Sequence, residues 1–186
     1  MAKAKINKNS DIIEVAAIVC EALLRSEINA VLSGGAVVSI YSDNEYESKD
    51  LDFVSSSDIK TISKALNEIG FTKTTGRHFI HPQTEFFIDF PSPPLAVGNL
   101  IIKEWNTINS KAGKIQLLTP THSVMDRLAA YYHWNDKQSL DQALMIASRH
   151  PVKLNKIKSW SKDEGAEEKF EVFKNLLKSN LGHASK

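Results

Sequence analysis

The sequence predicts an α/β protein, in which helices flank a mixed β-sheet and further helices follow that sheet. Three observations indicate this fold. Segments with apolar residues at helical spacing alternate with short runs rich in branched and aromatic residues over residues 10–90. A pair of glycines directly follows one apolar run. From Thr121 onward the pattern is helical throughout, which predicts a core domain of residues 1–119 and a C-terminal helical region of residues 120–186.

Two helices are predicted before residue 71 in addition to the short helix described below. The first follows Ser10 or Asp11, either of which can cap a helix. Its apolar residues recur at helical spacing and are Ile12, Ile13, Ala16, Val19, Cys20, Leu23 and Leu24. The second begins after residues 56–58 and ends at Gly70, because serine and aspartate favour helix starts and glycine favours helix ends.

Strands are predicted on both sides of this second helix. Residues 30–32 form an apolar run that indicates a buried strand, and residues 71–74 and 78–80 indicate a strand pair. Residues 84–90 predict a longer strand, which Pro91 ends because proline cannot continue a central ladder. Two further runs, 105–109 and 114–118, predict a hairpin. One or two amphipathic helices are predicted near the C-terminus, over residues 154–160 and 166–177.

The composition of the chain excludes several classes of function. The chain has 186 residues, of which 42% are hydrophobic and 24% charged, and its formal net charge is +1. We therefore expect no overall attraction to nucleic acid or to an anionic membrane. A single cysteine, Cys20, excludes an intrachain disulfide framework and a cysteine zinc cluster. Because no stretch is apolar enough to span a bilayer or to act as a signal peptide, we expect a cytoplasmic protein without a membrane partner.

The C-terminal segment differs in charge from the rest of the chain. Residues 151–186 contain eight lysines and five acidic residues. This basic excess is compatible with contact to RNA or to a partner protein, and equally with a solvated helix face. Histidines show no metal-ligand spacing. We expect His78 and His81, three residues apart across a strand, to lie on opposite faces, which argues against a joint zinc site.

The glycine pair indicates a phosphate site. Gly34 and Gly35 let the backbone approach a ligand closely, and residues 36–41 predict a short helix directly after them. The first amides and the dipole of such a helix favour an anion.

A carboxylate pair follows this helix. Asp50 and Asp52 alternate with Leu51 and Phe53, so that both carboxylates project from one face of a strand. Carboxylates side by side repel each other unless a cation lies between them, and a divalent metal serves best. A phosphate site facing such a pair is the apparatus of phosphoryl or nucleotidyl transfer. The same pattern is also typical of a half-buried strand with its polar side outward, so a purely structural interpretation stays open.

The glycine pair, the short helix and the pattern Ser48-x-Asp50-Leu51-Asp52-Phe53 together resemble the signature of the nucleotidyltransferase superfamily of the DNA polymerase beta type. The pattern is most similar to small bacterial and archaeal members, which include the AbiEii-like toxins of toxin–antitoxin pairs. The resemblance covers roughly residues 10 to 150, with specific motifs at about a dozen positions.

The resemblance implies roles for further residues. Asp89 occupies the place of a third metal-binding carboxylate beside Asp50 and Asp52, although a strand-end aspartate can also serve as a turn residue. Ser33, Gly34, Gly35 and Ser48 match nucleotide-binding positions. Arg127 and Lys137 fall near the places of two basic residues on the first two C-terminal helices, while a reading as solvated helix charges stays open.

The resulting hypothesis is a Mg²⁺- or Mn²⁺-dependent enzyme that moves a nucleoside monophosphate from a nucleoside triphosphate to an acceptor hydroxyl. The acceptor is RNA, protein or a small molecule. One alternative is a binding or regulatory protein of the same fold without turnover. The other is the toxin of a toxin–antitoxin pair, with an antitoxin as its partner.

Overall fold

A computed structural model describes residues 5–184, which form seven α-helices and nine β-strands. The helices are α1 (Ile12–Arg25), α2 (Gly34–Tyr41), α3 (Ile59–Asn67), α4 (Pro120–Trp134), α5 (Lys137–Arg149), α6 (Leu154–Asp163) and α7 (Glu167–Ala184). The strands are β1 (Val31–Ser33), β2 (Asp50–Val54), β3 (Thr72–Lys73), β4 (His78–Ile80), β5 (Phe87–Asp89), β6 (Ala96–Val97), β7 (Leu100–Ile101), β8 (Asn106–Ser110) and β9 (Gly113–Leu117).

Seven of these strands form one mixed sheet in the order β3-β4-β5-β2-β1-β9-β8. β2 runs parallel to β5 and β1 runs parallel to β9, whereas the other neighbours are antiparallel. β6 and β7 form a separate antiparallel pair, which the sequence analysis missed because each strand has two residues. The mixed sheet with flanking helices confirms the predicted fold class.

The core lies against one face of the sheet. Leu51, Phe53 and Ile88 are fully buried and belong to one cluster with the apolar side of α1, including Val15 and Val19. α1 packs against β9 and α3, while α2 packs against β2 and against helices α4 and α5. Cys20 belongs to this core, since it is 3% exposed, and burial raises the pKa of its thiol to about 12.

Local sequence sets the helix starts as predicted. The side chain of Asp11 accepts a hydrogen bond from the Glu14 amide at the start of α1, and Asp58 accepts from the amides of Lys60 and Thr61 at the start of α3. A carboxylate at this position satisfies amides that have no partner inside the helix.

Several element boundaries differ from the prediction: for example, the last helix runs from Glu167 to Ala184 where 166–177 was expected. Two further differences have a clear physical reason. The strand expected over residues 84–90 forms only at Phe87–Asp89, because its parallel partner β2 begins at Asp50, opposite Phe87. Residues 84–86 therefore have no adjacent strand with which to pair on that side. The helix expected to begin at Ala36 begins at Gly34, so that the glycine pair forms its first turn.

Four helices follow the sheet, as predicted. The last strand ends at Leu117 and α4 begins at Pro120, with Thr119 as its cap. α5 packs against α4 and α7, and the Lys169 ammonium contacts the carbonyls of Tyr131 and Tyr132. In the part of the chain that is described, no helix has the length and apolar character needed to cross a membrane. The division at residue 119 stays a prediction.

Candidate functional site

The three predicted carboxylates lie on one face of the sheet. In the parallel pair β2–β5, Asp52 is opposite Asp89 and Asp50 is opposite Phe87. Residues opposite each other on neighbouring strands project to the same side, and residues two apart share a face. Asp50, Asp52 and Asp89 are all partly exposed on this face, whereas Leu51 and Ile88 are buried on the other. We call the three side chains the carboxylate face.

The glycine pair lies beside this face, because β1 pairs with β2 and places Ser33 opposite Asp52. The Ser33 hydroxyl donates to the Asp52 carbonyl at 3.3 Å. Gly34 has φ +69°, a conformation that side chains disfavour, and a Cβ there would overlap Asp52 Oδ2. Glycine is therefore required at residue 34 both by its backbone conformation and by the closeness of the Asp52 carboxylate.

α2 starts at this point without a side-chain cap, since Ser33 makes no capping hydrogen bond. The first amides of α2 are among the donors that a helix cannot satisfy internally. These amides and the helix dipole together form an environment that suits an anion. The structure thus places an uncapped helix start, of a kind that suits an anion, next to the carboxylate face.

Ser48 orders the loop that connects α2 to β2. Its hydroxyl donates to the Asp50 carbonyl at 3.0 Å, and its amide donates to the Ser39 hydroxyl at 2.9 Å. A Cβ at Gly35 would lie 3.0 Å from Ser48 Oγ and 3.3 Å from Tyr46 Cε1, so glycine allows the loop to pack closely on α2. Ser48 therefore holds the start of β2 in place.

Mutual repulsion and burial make the carboxylate face hard to ionise. Burial, followed by the charges of Asp50, Asp126 and Asp89, raises the pKa of Asp52 to about 7 from its ordinary value of 3.8. Burial and the charge of Asp89 likewise raise the pKa of Asp50. Asp50 Oδ1 is buried and has no hydrogen-bond partner among the described residues. A cation at this face would relieve both effects.

His78 contacts the carboxylate face directly. β4 places His78 opposite Asp89, and His78 Nδ1 lies 3.0 Å from Asp89 Oδ1. The imidazole also packs against the ring of Phe87, with 4.9 Å between ring centroids. The sequence analysis considered His78 only with His81 and missed this contact. His81 instead packs against Phe71, consistent with the expectation that the two histidines share no site.

The charge of Arg127, on α4, lowers the pKa of Asp52, but the guanidinium is hydrogen-bonded to another carboxylate. Its Nε and Nη2 donate to Asp126 Oδ2 at 3.0 and 2.6 Å, and its Nη1 donates to Gln142 at 3.4 Å. Its charge lowers the pKa of Asp52 while that of Asp126 raises it. The sequence analysis missed Asp126, whose only signal was its position next to Arg127.

Lys137 is the exposed first residue of α5 and directly follows the Asp136 cap. Among residues 5–184 it makes no hydrogen bond or ion pair with Asp50, Asp52 or Asp89. Its assignment as a nucleotide-binding residue stays a prediction.

The carboxylate face suits a hard divalent cation in its donor set. Within residues 5–184, no group of three or more His, Cys, Asp or Glu side chains is arranged as a ready metal site. Mg²⁺, however, is commonly held by one or two carboxylates together with substrate phosphates and water. The unpartnered Asp50 oxygen and the raised pKa of Asp52 fit this mode of binding.

Comparison with known proteins relates this geometry to a class of fold. No protein-family model matches the chain, and no curated protein does either. Among solved structures, the chain is similar to an antigenic nucleotidyltransferase-like protein from Paracoccidioides brasiliensis, with a TM-score of 0.58 and 14% identity over 76% of this chain and 77% of that one.

Two structures of the antibiotic-resistance factor ANT(2'')-Ia also match. One is a solution structure, with a TM-score of 0.46 and 11% identity over 94% of each chain. The other is a complex with adenylyl-2''-tobramycin, with a TM-score of 0.48 and 11% identity over 91% of this chain and 97% of that one. The similarity to the Paracoccidioides brasiliensis protein shows that the chain has a nucleotidyltransferase-like fold. The AbiEii-like subtype and an antitoxin partner stay predictions.

Proposed function

We propose that the chain is a metal-dependent nucleotidyltransferase that moves a nucleoside monophosphate from a nucleoside triphosphate to an acceptor hydroxyl. The observation that carries this proposal is the position of Asp52, which lies opposite Asp89 on one side and against the glycine start of α2 on the other. Carboxylates and a free helix start are thereby adjacent, as transfer of a phosphorus group requires.

In this proposal, one group of residues binds the phosphates and another holds the metal. The first amides of α2 bind and orient the phosphates because no side chain caps them, and Ser33 lies directly before these amides. Asp50 and Asp52 would hold Mg²⁺ or Mn²⁺ together with the substrate phosphates, with Asp89 opposite Asp52, and the cation would supply charge neutralisation and a more acidic acceptor hydroxyl when bound.

The transfer itself makes one bond and breaks one bond at phosphorus. The acceptor hydroxyl gives up its proton to water or to a carboxylate of the carboxylate face. Its oxygen forms a bond to the α-phosphorus while the α–β phosphoanhydride bond breaks, and pyrophosphate leaves in line. No side chain needs to form a covalent intermediate, because positioning and charge stabilisation dominate this chemistry. The buried thiol of Cys20, with its raised pKa, is unsuited to such a role.

A second candidate is a nucleotide-binding protein of this fold without turnover. The observation in its favour is the ion pair of Arg127 with Asp126. The charge of Asp126 opposes the effect of the Arg127 guanidinium on the pKa of Asp52. An arginine that is free to bind phosphate oxygens contributes more to catalysis than one already paired.

The test is incorporation of labelled nucleotide into cellular RNA, protein or small-molecule acceptors, with each of the four triphosphates and with Mg²⁺ or Mn²⁺. We expect Asp52→Asn to lower the rate by roughly 100-fold or more, because it removes a carboxylate needed at the reacting phosphate. Asp141→Asn, on the exposed side of α5, is the matched control and should leave the rate unchanged.

The two candidates give different results in this assay. Triphosphate binding without incorporation by the wild-type chain would support the binding protein and overturn the enzyme. Incorporation that persists in Asp52→Asn would exclude the carboxylate face as the site. Absence of both binding and incorporation would overturn both candidates.

A further inference from the structure

A cavity of about 430 Å³ opens between the end of β9 and the starts of α4 and α6. Its volume falls within the range of about 300–1,000 Å³ that is usual for small-molecule sites. None of the residues assigned above to the carboxylate face or the glycine start lines it, and the lining residues are Glu104, Trp105, Asn106, Thr119, Pro120, Thr121, Pro151, Val152, Lys153 and Lys156.

Positive charge is in excess at this cavity. Lys156 Nζ lies 3.1 Å from Glu104 Oε1 and 2.8 Å from His122 Nε2, so Glu104 opposes one lysine. Lys153 is exposed at the start of α6 and carries a second ammonium. The hydrogen bond and charge of Lys156, with the charge of Lys153, lower the pKa of Glu104. The local field therefore favours an anion.

Two helix starts meet at the cavity. The Lys153 amide donates to Thr121 Oγ1 at 3.0 Å, which joins the beginning of α6 to the first turn of α4. α6 has no side-chain cap, because lysine cannot accept a hydrogen bond from the first amides. The dipoles of both helices thus contribute positive potential at the same place as the lysines.

A buried histidine lies directly behind the cavity wall. His122 is 2% exposed and meets Lys156 through Nε2. Its Nδ1 has no hydrogen-bond partner of normal geometry among the described residues, although the Glu104 backbone approaches the imidazole. Burial and the charge of Lys156 lower the pKa of His122, which favours the neutral imidazole that can accept from Lys156. His122 therefore holds the Lys156 ammonium in position at the cavity.

The remaining lining residues add a flat apolar surface beside the charge. Trp105 is partly buried in the wall and is followed by Asn106, which donates to the Tyr41 hydroxyl at 3.2 Å and is thereby held in place. An indole can stack on the base of a nucleotide, while the two ammonium groups next to it bind the phosphate of the same nucleotide.

We propose that this cavity binds the phosphate group of a nucleotide, either a free nucleoside monophosphate or a unit of an RNA strand, with Lys153 and Lys156 on the phosphate and Trp105 against the base. This site extends the proposed function, because it uses no residue of the carboxylate face and requires no divalent metal. It also gives part of the basic excess of residues 151–186 a specific role.

The test measures binding to the full chain carrying Asp52→Asn, in the absence of divalent metal, so that failure of the proposed catalysis leaves the result intact. AMP, inorganic phosphate and a short RNA oligonucleotide are titrated separately. The readout is the indole NMR signals, assigned with Trp105→Phe. We expect AMP or RNA to shift the Trp105 signal and to leave that of Trp134, which is 77% exposed elsewhere, unchanged.

Charge variants complete the test. The double variant Lys153→Gln/Lys156→Gln should weaken binding at least about tenfold, because it removes both ammonium groups from the phosphate. Lys158→Gln, on the same helix and outside the cavity, should not change affinity. If the double variant fails to fold, Lys153→Gln alone serves, since this side chain is exposed.

The outcomes distinguish the two possible ligands, and they also decide whether the proposal holds. Tighter binding of RNA than of AMP would identify a nucleic-acid strand as the ligand, and the reverse would identify a free nucleotide. A Trp105 signal that does not move with any of the three probes at millimolar concentration would overturn the proposal. Binding that survives the double variant unchanged would overturn it as well.

Discussion

The two sides of β2 differ sharply in what they contribute. Leu51 and Phe53 are 0% exposed and pack with the helices on one side, whereas Asp50 and Asp52 are partly exposed on the other. Alternation along a strand sends successive residues to opposite faces, so five residues build both surfaces. The apolar side stabilises the fold, and the acidic side works against it because like charges accumulate there.

This contrast is what a functional surface on a stable scaffold is expected to show. Carboxylates that repel one another cost stability at neutral pH, and they persist where the same repulsion favours a bound cation. The core side keeps the strand in register, which in turn keeps Asp52 opposite Asp89. Changes on the two sides should therefore have opposite signs.

The largest expected effect is on the core side. Phe53→Ala should lower the free energy of unfolding by about 3–5 kcal/mol, because it leaves a cavity where a fully buried ring was packed. Urea denaturation followed by circular dichroism measures this loss. Val54→Ala, on the same strand but partly exposed, is the matched control and should cost about 1 kcal/mol or less. Equal losses in both variants would contradict the contrast between the faces.

A smaller effect of opposite sign is expected on the acidic side. The pKa of Asp52 is about 7 in the folded chain and 3.8 is its ordinary value, so the folded state binds more protons between these pH values. The stability of the wild type should therefore fall as pH rises from 4 to 7 and then level off.

Asp52→Asn removes this dependence. It should stabilise the chain by about 1–3 kcal/mol at pH 8 and have little effect at pH 4, as measured by urea denaturation at both pH values. Asp141→Asn, at an exposed position, should change stability little at either pH. Destabilisation by Asp52→Asn at pH 8 would contradict this prediction. It would show that the ionised Asp52 carboxylate makes net favourable interactions in the metal-free chain.

The smallest effect is the response to metal. A ligand that binds only the folded state stabilises it by about 1.4 kcal/mol when its free concentration is tenfold above Kd. Mn²⁺ should therefore raise the Tm of the wild type, as followed by differential scanning fluorimetry. Asp50→Asn removes the carboxylate with the unpartnered oxygen and should reduce this rise. A rise of equal size in both proteins would place the metal elsewhere.

Several misses in the sequence analysis have one physical origin. The strand expected over residues 84–90 is shortened to Phe87–Asp89, because a strand extends only where a neighbour supplies hydrogen bonds. The contact of His78 with Asp89 depends on the pairing of β4 with β5, which no local pattern reveals. The influence of Asp126 on Asp52 depends on where α4 packs. All three depend on neighbours distant in sequence.

The sequence by itself determined the mixed fold class, the order of the main helices and the alternation that puts Asp50 and Asp52 on one side of a strand, because these follow from periodicity and from residues that favour caps and turns. Only the tertiary structure decided that Asp89 lies opposite Asp52, that Gly34 must lack a side chain beside that carboxylate, and that the charge of Arg127 on α4 lowers the pKa of Asp52. Strand register and helix docking bring together residues that are far apart in the sequence. The distance between two such residues in the folded chain cannot be inferred from their separation in the sequence.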